Sequence, residues 1–92
     1  MFFDSHTHCN FQGFDADRDA VLARVRDAGM LAMNVGASFD SSELAVSLAE
    51  QYAFCYATVG LHPIHVYDEE FDPVRYQALI DRSAKVRGIG EC

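Results

Sequence analysis

Four short apolar runs recur along this chain about every thirty residues, and three helical patterns fill the gaps between them. The runs cover residues 1–8, 30–35, 54–59 and 86–91. Strands that alternate with helices pair in parallel and cross over right-handed, because each returning helix must pack back onto the twisted sheet. The expected order is therefore β1-α1-β2-α2-β3-α3-β4, an α/β fold of parallel β/α units. Ninety-two residues make one domain, 1–92, and a small one for burying a core.

The helical stretches carry their own punctuation. In the first, residues 17–28, Val21, Leu22, Val25 and Ala28 recur at i, i+1, i+4 and i+7, and Gly29 supplies the stop. The second is predicted to start at Asp40, where Asp40-Ser-Ser-Glu43 has capping-box spacing, and to turn Leu44, Ala45, Leu48 and Tyr52 inward. Asp72-Pro73 opens the third, a capping residue followed by proline at the first helical position. It is expected to run to about residue 84, burying Val74, Leu79 and Ile80. Residues 9–16 and 64–71 read as loops, the second of them acidic. No repeat, low-complexity segment or linker interrupts the pattern.

Composition narrows the possible functions. Half of the residues are hydrophobic, which fits a globular chain, yet no apolar run is long enough to span a bilayer. The start, Met1-Phe-Phe-Asp4, lacks the basic lead and long apolar core of a signal peptide, so a cytoplasmic location is expected. Cys9, Cys55 and Cys92 are odd in number and contain no CxxC pair, which argues against a disulfide framework or a zinc finger. The net charge is −7, with a single lysine, Lys85, and six arginines. A protein that grips phosphates through its own side chains shows a basic patch. If this chain acts on DNA, bound cations must meet the phosphates instead.

The residues that can carry chemistry gather at the ends of the predicted strands. His6 and His8 close β1, His62 closes β3 and Glu91 closes β4. In parallel α/β folds, ligands collect at the carboxyl ends of the strands. Side chains two apart on a strand share a face, so His6 and His8 can hold one metal ion together, and neutral imidazole is a common metal ligand. A half-exposed histidine pair in a turn would have the same spacing. Beside that pair, Glu91 reads as a carboxylate ligand, the alternative being a solvated glutamate at a loop start. Because proline follows His62, its backbone is held extended and its ring is expected to contact substrate, or else to cap the strand end. Asp4 could orient an imidazole or bond to a neighbouring strand. Cys9 points to the opposite face and reads as packing, His65 as a surface histidine, and Asp68-Glu-Glu70 as a solvated loop, the alternative being accessory cation binding.

Taken together, Phe3-Asp4-Ser5-His6-Thr7-His8, Asn34-Val35-Gly36, Val59-Gly60-Leu61-His62-Pro63 and Gly88-Ile89-Gly90-Glu91-Cys92 resemble the TatD family of metal-dependent hydrolases. The match stays in register along the whole chain, including the Phe14-Asp15-Ala16-Asp17-Arg18 lead into the first helix. The resemblance implies a TIM-type (β/α)8 barrel of the amidohydrolase kind, of which this chain is the first half. It also implies one or two divalent ions (Zn, Mg or Mn) and hydrolysis of phosphodiester bonds in DNA. By the family's pattern His6 and His8 would hold one metal, Glu91 would bridge to a second, and His62 would lie near the substrate phosphate.

Two departures stand out. Cys9-Asn10 replaces the usual Leu-Asp. The family's continuation after Glu91-Cys92, which brings two more histidine ligands and an aspartate, is not in this sequence. The general base is expected there, and a complete barrel takes about 250 residues. Two other readings stay open. One is hydrolysis of another ester or amide at the same centre. The other is an incomplete, inactive half-barrel that at most binds metal and associates with another chain through the open edges of β1 and β4.

Overall fold

The computed structural model describes residues 2–90. Its four strands, β1 (Phe3–Thr7), β2 (Leu31–Val35), β3 (Cys55–Val59) and β4 (Val86–Ile89), are all parallel and lie side by side in that order. The helices α1 (Arg18–Asp27), α2 (Phe39–Gln51) and α3 (Pro73–Arg82) connect them, with short 3₁₀ turns at Gln12–Phe14 and Pro63–His65. The order is the one that the alternation of the sequence predicts, and it is that of the first half of a TIM-type barrel, as the family resemblance implies.

The sheet has one covered face and one half-open face. Ala32, Asn34, Cys55, Ala57 and Val59, at alternate strand positions, are buried under the helices. One cluster packs Ala45, Val46 and Ala49 of α2 against Ala57, Val59, Leu61, Tyr76 and Leu79. A second joins Cys9, Leu22, Leu48 and Cys55. The small side chains of Ala45, Ala49 and Ala57 let α2 sit close to β3, while fully buried Leu22 and Val46 each contribute about 1.5–3 kcal/mol by leaving water. On the other face Leu31, Met33, Tyr56 and Thr58 are half-buried, and β1 is exposed along most of its length. In a closed barrel that face is the filled interior.

Three expectations need correction. Ser38, not Asp40, caps α2. Its backbone is extended, its Oγ accepts from Ser41 N–H at 3.2 Å, and Ser41 Oγ accepts from Ser38 N–H at 2.9 Å, which completes a reciprocal box two residues earlier than predicted. Asp40 instead sits in the first turn, where its charge complements the helix dipole. Val74 is exposed (77%) rather than buried. The Asp72 carboxylate accepts from both Val74 and Arg75 N–H, which turns that side of α3 outward and leaves Tyr76, Leu79 and Ile80 facing the core. Nor is the acidic loop merely solvated. Glu69 accepts from Phe39 N–H at 2.9 Å and from the Tyr76 hydroxyl at 2.9 Å, holding its charge against the start of α2.

Helix α2 is secured at its other end too. The Lys85 ammonium donates to the carbonyls of Ala49 (2.6 Å) in the last turn, of the C-cap Tyr52 (2.7 Å) and of Ala53 (3.3 Å) just beyond it. Arg82 reaches Glu50 and Ser47 beside it. After α1, Gly29 adopts φ +71° and Met30 N–H returns to the Val25 carbonyl at 3.2 Å, a left-handed stop that glycine makes without strain. Cys9 and Cys55 are buried free thiols, and Cys9 packs into the core as expected. Among the described residues no helix is long and apolar enough to cross a membrane.

Candidate metal centre

All four strands end at the same rim of the sheet, and the first corner of that rim holds the histidine pair. The rings of His6 and His8 stand edge to face with centroids 5.0 Å apart. Strand β1 shifts register against β2 between Asp4 and Thr7, and within that irregularity the Asp4 carboxylate accepts from His6 N–H at 3.2 Å. Asp4 thus braces its own strand. His8 is half-buried, stacked on Phe11 at 4.1 Å, with Nδ1 3.0 Å from the Val35 carbonyl oxygen. A carbonyl has no proton to give, so Nδ1 is the donor and Nε2 becomes the basic nitrogen of the neutral ring. That tautomer, anchored on a backbone acceptor, is how a metal-ligating imidazole is ordinarily oriented.

The loop after His8 is held by contacts that the sequence pattern did not foresee. Asn10 is buried and its side-chain Nδ2 donates to the carbonyls of Val35 (3.1 Å) and Ser41 (2.8 Å). Cys9 N–H donates to Asn34 Oδ1 at 3.1 Å. Arg18 donates to the Cys9 carbonyl at 2.6 Å, the Phe11 carbonyl at 2.9 Å and the Asp15 carboxylate at 2.6 Å. These contacts span up to 31 residues of sequence, and no local spacing announces them. Beneath them the Cys55 thiol is pushed up from an ordinary 9.0 to about 11, chiefly by burial and then by neighbouring Cys9, with Lys85 and the Asn34 amide opposing.

At the third strand end His62 follows a tight backbone junction. Ser42 of α2 is fully buried and its hydroxyl both donates to the Gly60 carbonyl (3.2 Å) and accepts from Gly60 N–H (3.1 Å). His62 Nδ1 accepts from Ile64 N–H at 3.1 Å, capping the Pro63–His65 turn, so in the neutral ring the proton sits on Nε2. The capping role expected of His62 is thus taken by Nδ1, on the 3₁₀ turn that follows the strand and not on the strand end itself. His65 is half-buried and lines a cleft of about 510 Å³ with Asn10, Phe11, Ser38, Asp40 and Ser41.

Strand β4 reaches the rim through Gly90, whose N–H donates to the Val59 carbonyl at 3.1 Å. Glu91, the carboxylate expected as the third ligand, lies outside the described residues. Among the described residues no three His, Cys, Asp or Glu side chains converge on a metal-sized site, and of the expected set His6 and His8 lie side by side.

Comparison with known proteins places the chain in a family. Residues 3–92 match the family model described as TatD related DNase. The chain is 35% identical over 92 residues to a 3'-5' ssDNA/RNA exonuclease TatD of Erwinia amylovora, covering 98% of this chain and 36% of that protein. It is 31% identical over 93 residues to the uncharacterized metal-dependent hydrolase YabD of Bacillus subtilis, covering 99% and 36%. Against the uncharacterized metal-dependent hydrolase YjjV of Escherichia coli it is 36% identical over 93 residues, covering 98% and 36%. The chain thus spans 36% of the length of these relatives. With nearly every position from β1 to the end of β4 inside the match, this chain belongs to the family of TatD-related DNases.

Proposed function

We propose that this chain carries the metal-holding residues, and one substrate contact, of a metal-dependent hydrolase that cleaves phosphodiester bonds in DNA. The observation that carries the reading is His8, edge to face with His6 and anchored through Nδ1 on the Val35 carbonyl. His6 and His8 would hold one divalent ion, and Glu91 would be the third ligand, bridging to a second. Imidazole nitrogens suit zinc, and a carboxylate also suits magnesium or manganese. When bound, such an ion polarises a phosphoryl oxygen and lowers the pKa of water to about 7.

The chain's own residues do the rest. His62, with its proton on Nε2, donates to a non-bridging phosphate oxygen. The Val35 carbonyl and Phe11 keep the His8 ring in one direction. The net charge of −7 makes the chain repel phosphate until cations are in place. The general base is assigned to residues other than those of this chain. Free thiols at Cys9 and Cys55 support a reducing, cytoplasmic setting.

Native mass spectrometry with and without chelator, followed by hydrolysis of a single-stranded DNA oligonucleotide in Mg²⁺ or Mn²⁺, tests the reading. We expect chelator-sensitive metal that is lost in His6→Ala and in His8→Ala, with weak or no turnover by the 92-residue chain. Robust turnover that vanishes in Glu91→Ala would place the general base within this chain. Cleavage of carboxylic esters or amides, but not of DNA, would assign another leaving group to the same centre. Metal binding by a dimer without hydrolysis would support half-barrels paired through the edges of β1 and β4.

A further inference from the structure

The peptide unit between Val35 and Gly36 is clamped from both sides. Its N–H donates to the Thr58 carbonyl of β3 at 3.0 Å. Its carbonyl oxygen, on the opposite side, accepts from His8 Nδ1 at 3.0 Å and from Asn10 Nδ2 at 3.1 Å. A carbonyl oxygen has two lone pairs, and these two donors use both. Asn10 gives its second amide proton to the Ser41 carbonyl in the first turn of α2, at 2.8 Å. The amide orientation follows from the partners, because both are acceptors and only the NH₂ end can serve them. Asn10 is 2% exposed, so neither bond is exchanged with solvent.

We infer that Asn10 is a positioning residue for His8. By donating to the Val35 carbonyl and tying it to α2, it holds that oxygen in place against His8 Nδ1, and with it the tautomer and direction of the His8 imidazole. The inference rests on the reading of His8 as a metal holder. Aspartate at this position would set a carboxylate against two carbonyl oxygens. Asn10→Asp, which restores the residue usual in the family's pattern, therefore disrupts the corner in this chain.

The test is long-range ¹H–¹⁵N NMR of the ¹⁵N-labelled full chain in chelator, with zinc alone then titrated in by calorimetry. In the wild type His8 is expected as the Nδ1–H tautomer. In Asn10→Ala the ring is expected to become a mixture with Nε2–H, and zinc affinity to fall by about 10-fold or more, while thermal unfolding reports whether the variant is folded. Asn10→Asp should move both readouts further. The tautomer decides. If Asn10→Ala keeps His8 as Nδ1–H, the inference is overturned, even when zinc affinity drops, since the coupling is argued to run through the ring. A wild-type His8 in the Nε2–H form overturns it without any variant, and where Asn10→Ala fails to fold the same tautomer comparison is made in Asn10→Asp, an unchanged Nδ1–H ring there overturning the inference too. A wild type that binds no zinc sinks the metal reading instead, and the tautomer comparison still judges Asn10.

Discussion

The first and last corners of the rim are closed in opposite ways. Between β1 and β2 the chain is stitched by side chains that reach across: His8 and Asn10 to one carbonyl, Asn34 to the Cys9 amide, Arg18 to two carbonyls of the loop. Between β2, β3 and β4 it is closed by leaving side chains out. Gly36 lets α2 settle at Ser42, Gly60 faces the Gly90 carbonyl, and the Ser42 hydroxyl bonds both polar groups of Gly60. A stitch made of donors can be retuned one substitution at a time. A backbone approach has no slack, so the glycine corner sets the frame on which the histidine corner is adjusted.

Substitutions should separate the two modes. A methyl at Gly36 would lie 2.6 Å from Ser42 Cα, and one at Gly60 would run into the Gly90 carbonyl oxygen. Gly36→Ala and Gly60→Ala are each expected to cost about 3 kcal/mol or more in urea unfolding, because backbone rather than a flexible side chain must give way. A loss below about 1 kcal/mol in either would break the comparison.

The next effect is a pH dependence beneath the histidine corner. The Cys55 thiol is held up to about 11 from an ordinary 9.0 by burial, so the folded state favours its neutral form. The stability it contributes is complete below pH 9.0 and is lost as pH rises towards about 11, a term on the order of 2–3 kcal/mol. Unfolding measured across that window should be flatter in Cys55→Ala than in the wild type. Ser42→Ala comes third, about 1–3 kcal/mol, since it takes the hydroxyl from a buried N–H and a buried carbonyl at once. Glu69→Gln should cost about 0.5–1 kcal/mol, by removing a negative charge from the N-terminus of α2. Smallest are Gly13→Ala, whose added methyl meets nothing within 4 Å, and Val74→Ala on an exposed face. Both should stay within about 0.5 kcal/mol in the same unfolding assay.

Periodicity made the elements legible, because burial on one face imposes it locally: the strand-helix alternation, the Gly29 stop and the Asp72-Pro73 start all stand. The His6 and His8 pair is legible from the two-residue period of a strand, which sets both rings on one face without any burial of β1. Caps were less so. Ser38 and Asp40 are both good capping residues two apart, and only the extended backbone at Ser38 chooses between them. Val74 was misplaced because apolar spacing cannot tell which side the first turn of α3 presents once Asp72 has turned it. Asn10, Ser42 and Glu69 act on partners 18 to 31 residues away. Each is a common polar residue in an unremarkable local setting, so its role belongs to tertiary distance and not to spacing.

The fastenings of α2 have a consequence for the order in which the chain matures. Ribosomes deliver residues from the N-terminus at about 5–20 per second, so α2 leaves the ribosome well before the groups that secure it. Glu69 lies 30 positions after the Phe39 amide that it receives, and Lys85 lies 36 positions after the Ala49 carbonyl that it caps. The helix at the centre of the core is therefore among the last to be locked at both ends. A nascent chain released before Lys85 would carry α2 with its final carbonyls open to water, and protease sensitivity around residues 49–53 should mark that interval.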